Sequence, residues 1–223
     1  MNKKCLKDFD FVKKYFDYFS SDKYNEDLIN NLRVHYRGKK SVAIETIENT
    51  NEETESDSGK QIVNLNYFLE NVGFKTLEEG KLLKSEIEFL TGGWFEEYVY
   101  YKIKSKYKFT DDEILLGVIL EKSDITNKND LDVVVVKNNK FIVIECKTGM
   151  KIDGKVALLF NETVYKAAAL KKNFGLHVAS YLFTLEDLSM NDYLKKADVL
   201  GIKAIDKAQI KDESVFDNIL NNF

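Results

Sequence analysis

Asn129-Asp130-Leu131-Asp132-Val133-Val134-Val135-Val136-Lys137-Asn138-Asn139-Lys140-Phe141-Ile142-Val143-Ile144-Glu145-Cys146-Lys147-Thr148 is the stretch whose reading decides the fold. Asn138-Asn139 stands between two β-branched runs, and asparagine tolerates the positive φ that a two-residue hairpin turn requires. The register follows from the turn. Lys137 faces Lys140, Asp132 lies opposite Glu145 at a non-hydrogen-bonded position, and Asp130 lies opposite Lys147. Side-chain period two puts Glu145 and Lys147 on one face and Cys146 on the other. Val134, Val136, Phe141 and Val143 occupy one face, and Leu131, Val133, Val135, Ile142 and Ile144 the other. A strand pair apolar on both faces is buried on both faces.

Two carboxylates are thus expected side by side at the end of a buried hairpin. Like charges there repel and lack solvent. A shared proton, a cation from the protein or a bound divalent metal would relieve them. Lys147 supplies one positive charge, which is insufficient alone. Two carboxylates and water oxygens suit Mg²⁺ or Mn²⁺. A lysine beside such an ion can orient water or offset charge growing on a phosphate. This is equipment for phosphodiester hydrolysis.

Outward from the hairpin, Ile114–Leu120, His177–Thr184 and Ile202–Ile205 read as strands. Residues 156–172, 191–200 and 212–222 read as helices. Gly92-Gly93-Trp94-Phe95-Glu96-Glu97-Tyr98 begins another, and a helical stretch over 63–90 breaks near Gly73. Helices alternating with strands imply an α/β fold with a mixed central sheet flanked by helices. Residues 4–36 read as helices, with Leu6, Phe9, Val12, Phe16 and Phe19 forming an apolar stripe broken at Ser20-Ser21-Asp22. Residues 46–60, rich in Asn, Glu, Thr and Ser, read as a linker or loop. The expected organisation is a helical N-terminal extension over 1–60 and a catalytic domain over 61–223.

The chain has 223 residues, 33 basic and 37 acidic, for a net charge of −4. Six of those acids, Glu45, Glu48, Glu52, Glu53, Glu55 and Asp57, stand in a segment without a base. Charge therefore neither supports nor excludes a polyanionic partner. Arg33 and Arg37 are the only arginines, so base readout through arginine forks is not expected. Two cysteines far apart, Cys5 and Cys146, exclude a disulfide framework and a cysteine-rich zinc site, which fits a reducing cytoplasm. No apolar run is long enough to span a membrane, and the start lacks the pattern of a signal peptide.

The spacing D-x12-E-x-K resembles the PD-(D/E)xK, or restriction-endonuclease-like, nuclease superfamily. Phe89-Leu90-Thr91-Gly92-Gly93-Trp94-Phe95-Glu96-Glu97-Tyr98, Asn129-Asp130-Leu131-Asp132 and Ile144-Glu145-Cys146-Lys147-Thr148-Gly149 together resemble the nuclease half of CRISPR-associated effectors that join a CARF sensor to such a nuclease. The likeness covers about residues 62–205. It implies that Asp132, Glu145 and the backbone carbonyl of Cys146 hold Mg²⁺ or Mn²⁺, with Glu96 as an additional acid acting through water or a second ion. Lys147 would be the catalytic lysine, and Lys166 would face the scissile phosphate. The implied activity is a metal-dependent endonuclease acting on DNA in anti-phage defence, as a homodimer; the motif does not choose between DNA and single-stranded RNA. Residues 1–60 lack the alternating strand–helix pattern of a sensor, so cyclic oligoadenylate control is not carried over. A stand-alone restriction or repair nuclease, and a non-catalytic binding module on the same fold, are the rival readings.

Beside these sharp readings stand blander ones. Trp94, Tyr98 and Tyr101, at helical spacing, fit core packing better than a base-stacking platform. Cys146 reads as a buried structural cysteine, and His35 and His177 lack metal-ligand spacing.

Overall fold

The computed structural model describes residues 5–21, 29, 32, 41–43, 65–120, 129–137, 139–150, 157–174, 178–189 and 192–220. The expected boundary at residues 60 and 61 lies outside them, as do the acidic run, Arg33, Arg37, His35 and His177. By internal contacts the chain divides into two compact units, Leu6–Trp94 and Met1–Cys5 with Phe95–Phe223. The division at Trp94 falls inside the region 61–223 expected to form one domain. No helix among the described residues is long and apolar enough to cross a membrane.

In the first unit, helix α1 (Phe9–Phe19) opens on Asp8, whose side chain accepts from the Phe11 N–H. Its buried face is Val12, Tyr15, Phe16 and Phe19. Strand β1 (Ser41–Ala43) pairs antiparallel with β2 (Lys81–Leu83), between which lies α2 (Leu65–Val72). Helix α3 (Lys84–Glu88) runs through a π-helical turn, Phe89–Gly93, into α4 (Trp94–Tyr107). The expected break of the 63–90 helical stretch near Gly73 is met, but the part after it is not helical throughout. Helix α2 ends at Gly73, and β2 intervenes. The cause is tertiary: Glu86, fully buried, accepts from the backbone N–H groups of Leu77 (2.7 Å) and Leu83 (2.8 Å) and fixes a non-helical path before α3.

The second unit is built on a five-stranded mixed sheet in the order β3-β4-β5-β6-β7: β3 (Ile114–Leu120), β4 (Asn129–Lys137), β5 (Lys140–Lys147), β6 (Val178–Thr184) and β7 (Ile202–Ile205). β3–β4 and β4–β5 pair antiparallel; β5–β6 and β6–β7 pair parallel across α5 (Ala157–Phe174) and α6 (Tyr193–Val199). One apolar cluster joins Phe160 and Val164 of α5, Leu182, Ala197, Ile202 and Ala204. The sheet and its flanking helices are the mixed α/β architecture expected. The C-terminal helix expected over 212–222 is corrected to α7 (Lys207–Asp212) and a 3-10 turn, Ser214–Asp217. Asp206 caps α7 reciprocally with Gln209, and Glu213 takes a left-handed conformation that stops it.

The hairpin register is as expected at five successive pairs, from Lys137↔Lys140 to Val133↔Ile144, with Asn139 at φ +60° in the turn. The expected faces fail at one residue. Leu131 packs with Val134 and Val143, not with the Val133 face. Alternation is broken between them, at Asp132.

Candidate active site

Strands β4 and β5 deliver Asp132 and Glu145, each only 8% exposed, to the end of the buried hairpin. The pairing of β4 with β5 stops at Val133↔Ile144, one pair short of Asp132 and Glu145. Asp132 instead reaches β5 through its side chain: Oδ2 accepts a 2.7 Å hydrogen bond from the Cys146 backbone N–H. Lys147 Nζ donates to Glu145 Oε1 at 2.6 Å and stands 3.8 Å from Asp132 Oδ2. One ammonium therefore serves both carboxylates, and its side chain is still 31% exposed.

The electrostatics follow from burial. Desolvation first, and then the neighbouring Glu145 charge, push the Asp132 carboxyl up to about 8; Lys147 and the Cys146 N–H oppose the shift without cancelling it. Burial pulls the Lys147 ammonium down. The Asp132 and Glu145 charges and the hydrogen bond to Glu145 more than reverse this, so it ends above its ordinary value. Burial and the same acids hold the Cys146 thiol far above its ordinary value, so it stays protonated and is no nucleophile.

With both acids ionised, two carboxylates against one ammonium would leave an excess negative charge in a place that hydrates poorly, and without a cation Asp132 avoids it by holding its proton. A divalent cation fits this need, and the donors are hard oxygens. Among the described residues no group of three or more His, Cys, Asp or Glu gathers as a metal cage. Mg²⁺ does not require one, since it is commonly held by one or two carboxylates together with substrate phosphates and water.

Glu96 and Glu97, adjacent in sequence, separate in space. The Glu96 charge acts on Asp132 and Cys146, whereas the Glu97 charge acts on Cys5 and Tyr101. Glu96 is thus the α4 acid on the side of the carboxylate pair. Lys166 is exposed on α5, with no hydrogen bond or ion pair to the carboxylates. Trp94 and Tyr98 are buried, as core packing requires; Trp94 packs at a tilt against Tyr15, with ring centroids 4.8 Å apart. Glu186 was not foreseen at this end of the sheet. Parallel pairing of β5 with β6 brings the residues after β6 beside Lys147, where the Leu185 N–H donates to the Lys147 carbonyl and Glu186 Oε1 accepts from the Met150 N–H at 3.3 Å. No local motif marks Glu186; only the pairing of distant strands does.

No curated protein sequence matches the chain. Among solved structures, that of protein VC1899 from Vibrio cholerae superposes with a TM-score of 0.62 and 22% identity, over 94% of this chain and 54% of that one. Can2 from Sulfobacillus thermosulfidooxidans, solved in complex with cyclic tetra-adenylate, superposes with a TM-score of 0.60 and 22% identity, over 92% of this chain and 55% of that one. The chain spans about half the length of these structures, and at this identity the likeness is one of fold. The expected resemblance to a CRISPR-associated nuclease domain is met at the level of the family as well. The profile of the Card1-like endonuclease domain matches residues 83–219, more than half of the sequence, and the chain belongs to that family.

Proposed function

We propose that the chain is a Mg²⁺- or Mn²⁺-dependent endonuclease that hydrolyses phosphodiester bonds in DNA, with single-stranded RNA as a further substrate, in CRISPR-linked defence. One observation carries the reading: a single ammonium, Lys147, contacts both Glu145 and Asp132 at the end of a buried hairpin. Asp132, Glu145 and the Cys146 carbonyl would hold the ion, with Glu96 supporting it through water. When bound, the ion supplies the positive charge that activates water and offsets charge on the phosphate. Lys147 remains protonated at neutral pH in its carboxylate surroundings. It therefore acts as a donor that orients the attacking water and neutralises phosphate oxygens, not as the base. The Asp132–Cys146 hydrogen bond fixes one carboxylate oxygen and leaves the other for the ion.

Incubation with single- and double-stranded DNA and RNA plus Mn²⁺, with and without cyclic tetra-adenylate, tests the reading. Cleavage that EDTA stops and Glu145→Ala removes is the expected result; an active Glu145→Ala protein overturns it. The cyclic tetra-adenylate arm asks whether this chain shares the ligand found in Can2. A homodimer in the cytoplasm is the expected working form.

A further inference from the structure

We propose that Gly117, on β3, is a positioning residue for Asp132: its left-handed backbone breaks the sheet at one position and so turns the Asp132 carboxylate toward β5. Two independent observations meet there. Gly117 has φ +60° in the middle of a strand, a conformation glycine adopts freely and most residues do not. The pairing of β3 with β4 runs through Leu116↔Val133, resumes at Val118↔Leu131, and is missing where Gly117 faces Asp132. Register is the same on both sides, so no residue is inserted. The interruption is confined to a single pair.

The break has a partner on the other side. Pairing of β4 with β5 ends at Val133↔Ile144. Asp132 is therefore the one residue of β4 with no registered partner on either neighbour among the described residues. The packing records the same event. Leu115 and Val118 of β3 join Leu131 and Val134 of β4 in one cluster, and each pair is three residues apart where a regular strand would bring together residues two apart. Alternation thus skips a step at Gly117 and at Asp132 together. In an unbroken strand the Asp132 peptide would be tied into the flat ladder. Released from it, the residue can aim Oδ2 at the Cys146 N–H and approach Lys147. Gly117 is buried and carries no chemistry of its own, so its effect passes through Asp132.

This deepens the nuclease reading and rests on it only for what Asp132 does. The test compares Gly117→Ala with Gly117→Asn. Asparagine is bulkier but tolerates positive φ; alanine is smaller but does not. If backbone handedness matters, Asn is the milder change; if only room matters, Ala is. The primary readout is hydrogen exchange of the Cys146 amide in the metal-free protein, followed by NMR. Gly117→Ala is expected to speed that exchange at least ten-fold, with the Val135 and Ile142 amides unmoved, and Gly117→Asn to restore most of the protection. In cleavage assays Gly117→Ala should lower kcat at least ten-fold with KM for nucleic acid within two-fold. Unchanged Cys146 exchange in Gly117→Ala overturns the proposal, as does a ranking in which Asn is worse than Ala. Should Gly117→Ala not fold, unprotected Cys146 in a folded Gly117→Asn protein overturns it equally. A wild-type protein that cleaves nothing defeats the nuclease reading alone, because the exchange measurement still decides the role of Gly117.

Discussion

Glu86 and Asp132 are both buried acids, one in each compact unit, and they are treated in opposite ways. Glu86 has two backbone N–H donors at 2.7 and 2.8 Å, so its carboxylate replaces the hydrogen bonds of water and fastens the path before α3. Asp132 has one backbone donor, a second acid beside it and half a claim on one lysine. The first is a completed structural joint. The second is a charge arrangement that the chain does not finish by itself. Burial of an acid is therefore not a sign of function; what separates the two is whether the protein's own donors satisfy it.

The widest contrast comes from removing one acid on each side. Glu145→Ala should cut cleavage at least about a thousand-fold at little cost in thermal stability, since Lys147 keeps Asp132 as a neighbour and Asp132 loses the charge that opposes its ionisation. Glu86→Ala should do the reverse. Two part-buried N–H groups lose their acceptor, at about 1 kcal/mol each, while cleavage per folded molecule stays within a few-fold. Single-turnover cleavage and thermal denaturation of both variants check this. Equal losses of activity in the two would erase the distinction.

Lys147 sharpens it further. Lys147→Ala leaves both carboxylates without their ammonium, and the metal-free protein should lose about 1–3 kcal/mol, less than for a fully buried pair because the side chain is partly exposed. Mn²⁺ should restore the stability and not the cleavage, because the ion replaces the charge but not the donor that orients water. Denaturation with Mn²⁺ or EDTA, alongside cleavage, separates these two roles.

The Asp132 shift sets a pH signature. Its folded-state pKa, about 8, lies above the ordinary 3.8, so the folded state holds a proton the unfolded state gives up. That stabilising contribution is complete below about pH 4 and is lost as pH rises through about 8. In EDTA the wild-type melting temperature should fall between pH 5 and 9 more steeply than that of Asp132→Asn. The variant should gain roughly 2–4 °C over wild type at pH 8, the shift that about 1 kcal/mol produces in a chain of this size. Metal affinity should rise over the same interval, because the ion must displace that proton. Parallel pH–melting curves for the two proteins would remove the argument.

The parts of this site that were legible in the sequence are those governed by short-range rules. The turn at Asn139 sets the register as far as Val133↔Ile144, and period two puts Glu145 and Lys147 on one face of β5. The strands and their mixed sheet follow from runs such as Val133–Val136 and from the helices between them. What was not legible depends on distant partners. The β1–β2 pairing joins residues some forty positions apart, so nothing local separates Lys81–Leu83 from the helical reading of the stretch after Gly73. The face of Leu131 was misassigned because period two was carried through Asp132, and nothing within β4 announces that Gly117, on another strand, interrupts it.

The finest test divides Glu96 from Glu97, which periodicity alone cannot separate. Both lie in the first turn of α4, yet Glu96 acts on Asp132 and Cys146, and Glu97, almost fully buried, acts on Cys5 and Tyr101. Glu96→Gln keeps the shape and removes a charge that favours a cation beside Asp132. It should weaken Mn²⁺ binding and slow cleavage roughly ten-fold at limiting metal, with the loss shrinking as Mn²⁺ is raised. Glu97→Gln removes a charge from a different neighbourhood, and its cleavage should match wild type at every metal concentration. A metal titration of both variants decides the matter. Should the two respond alike, α4 contributes no acid to the site, and the carboxylate pair with Lys147 must account for the chemistry alone.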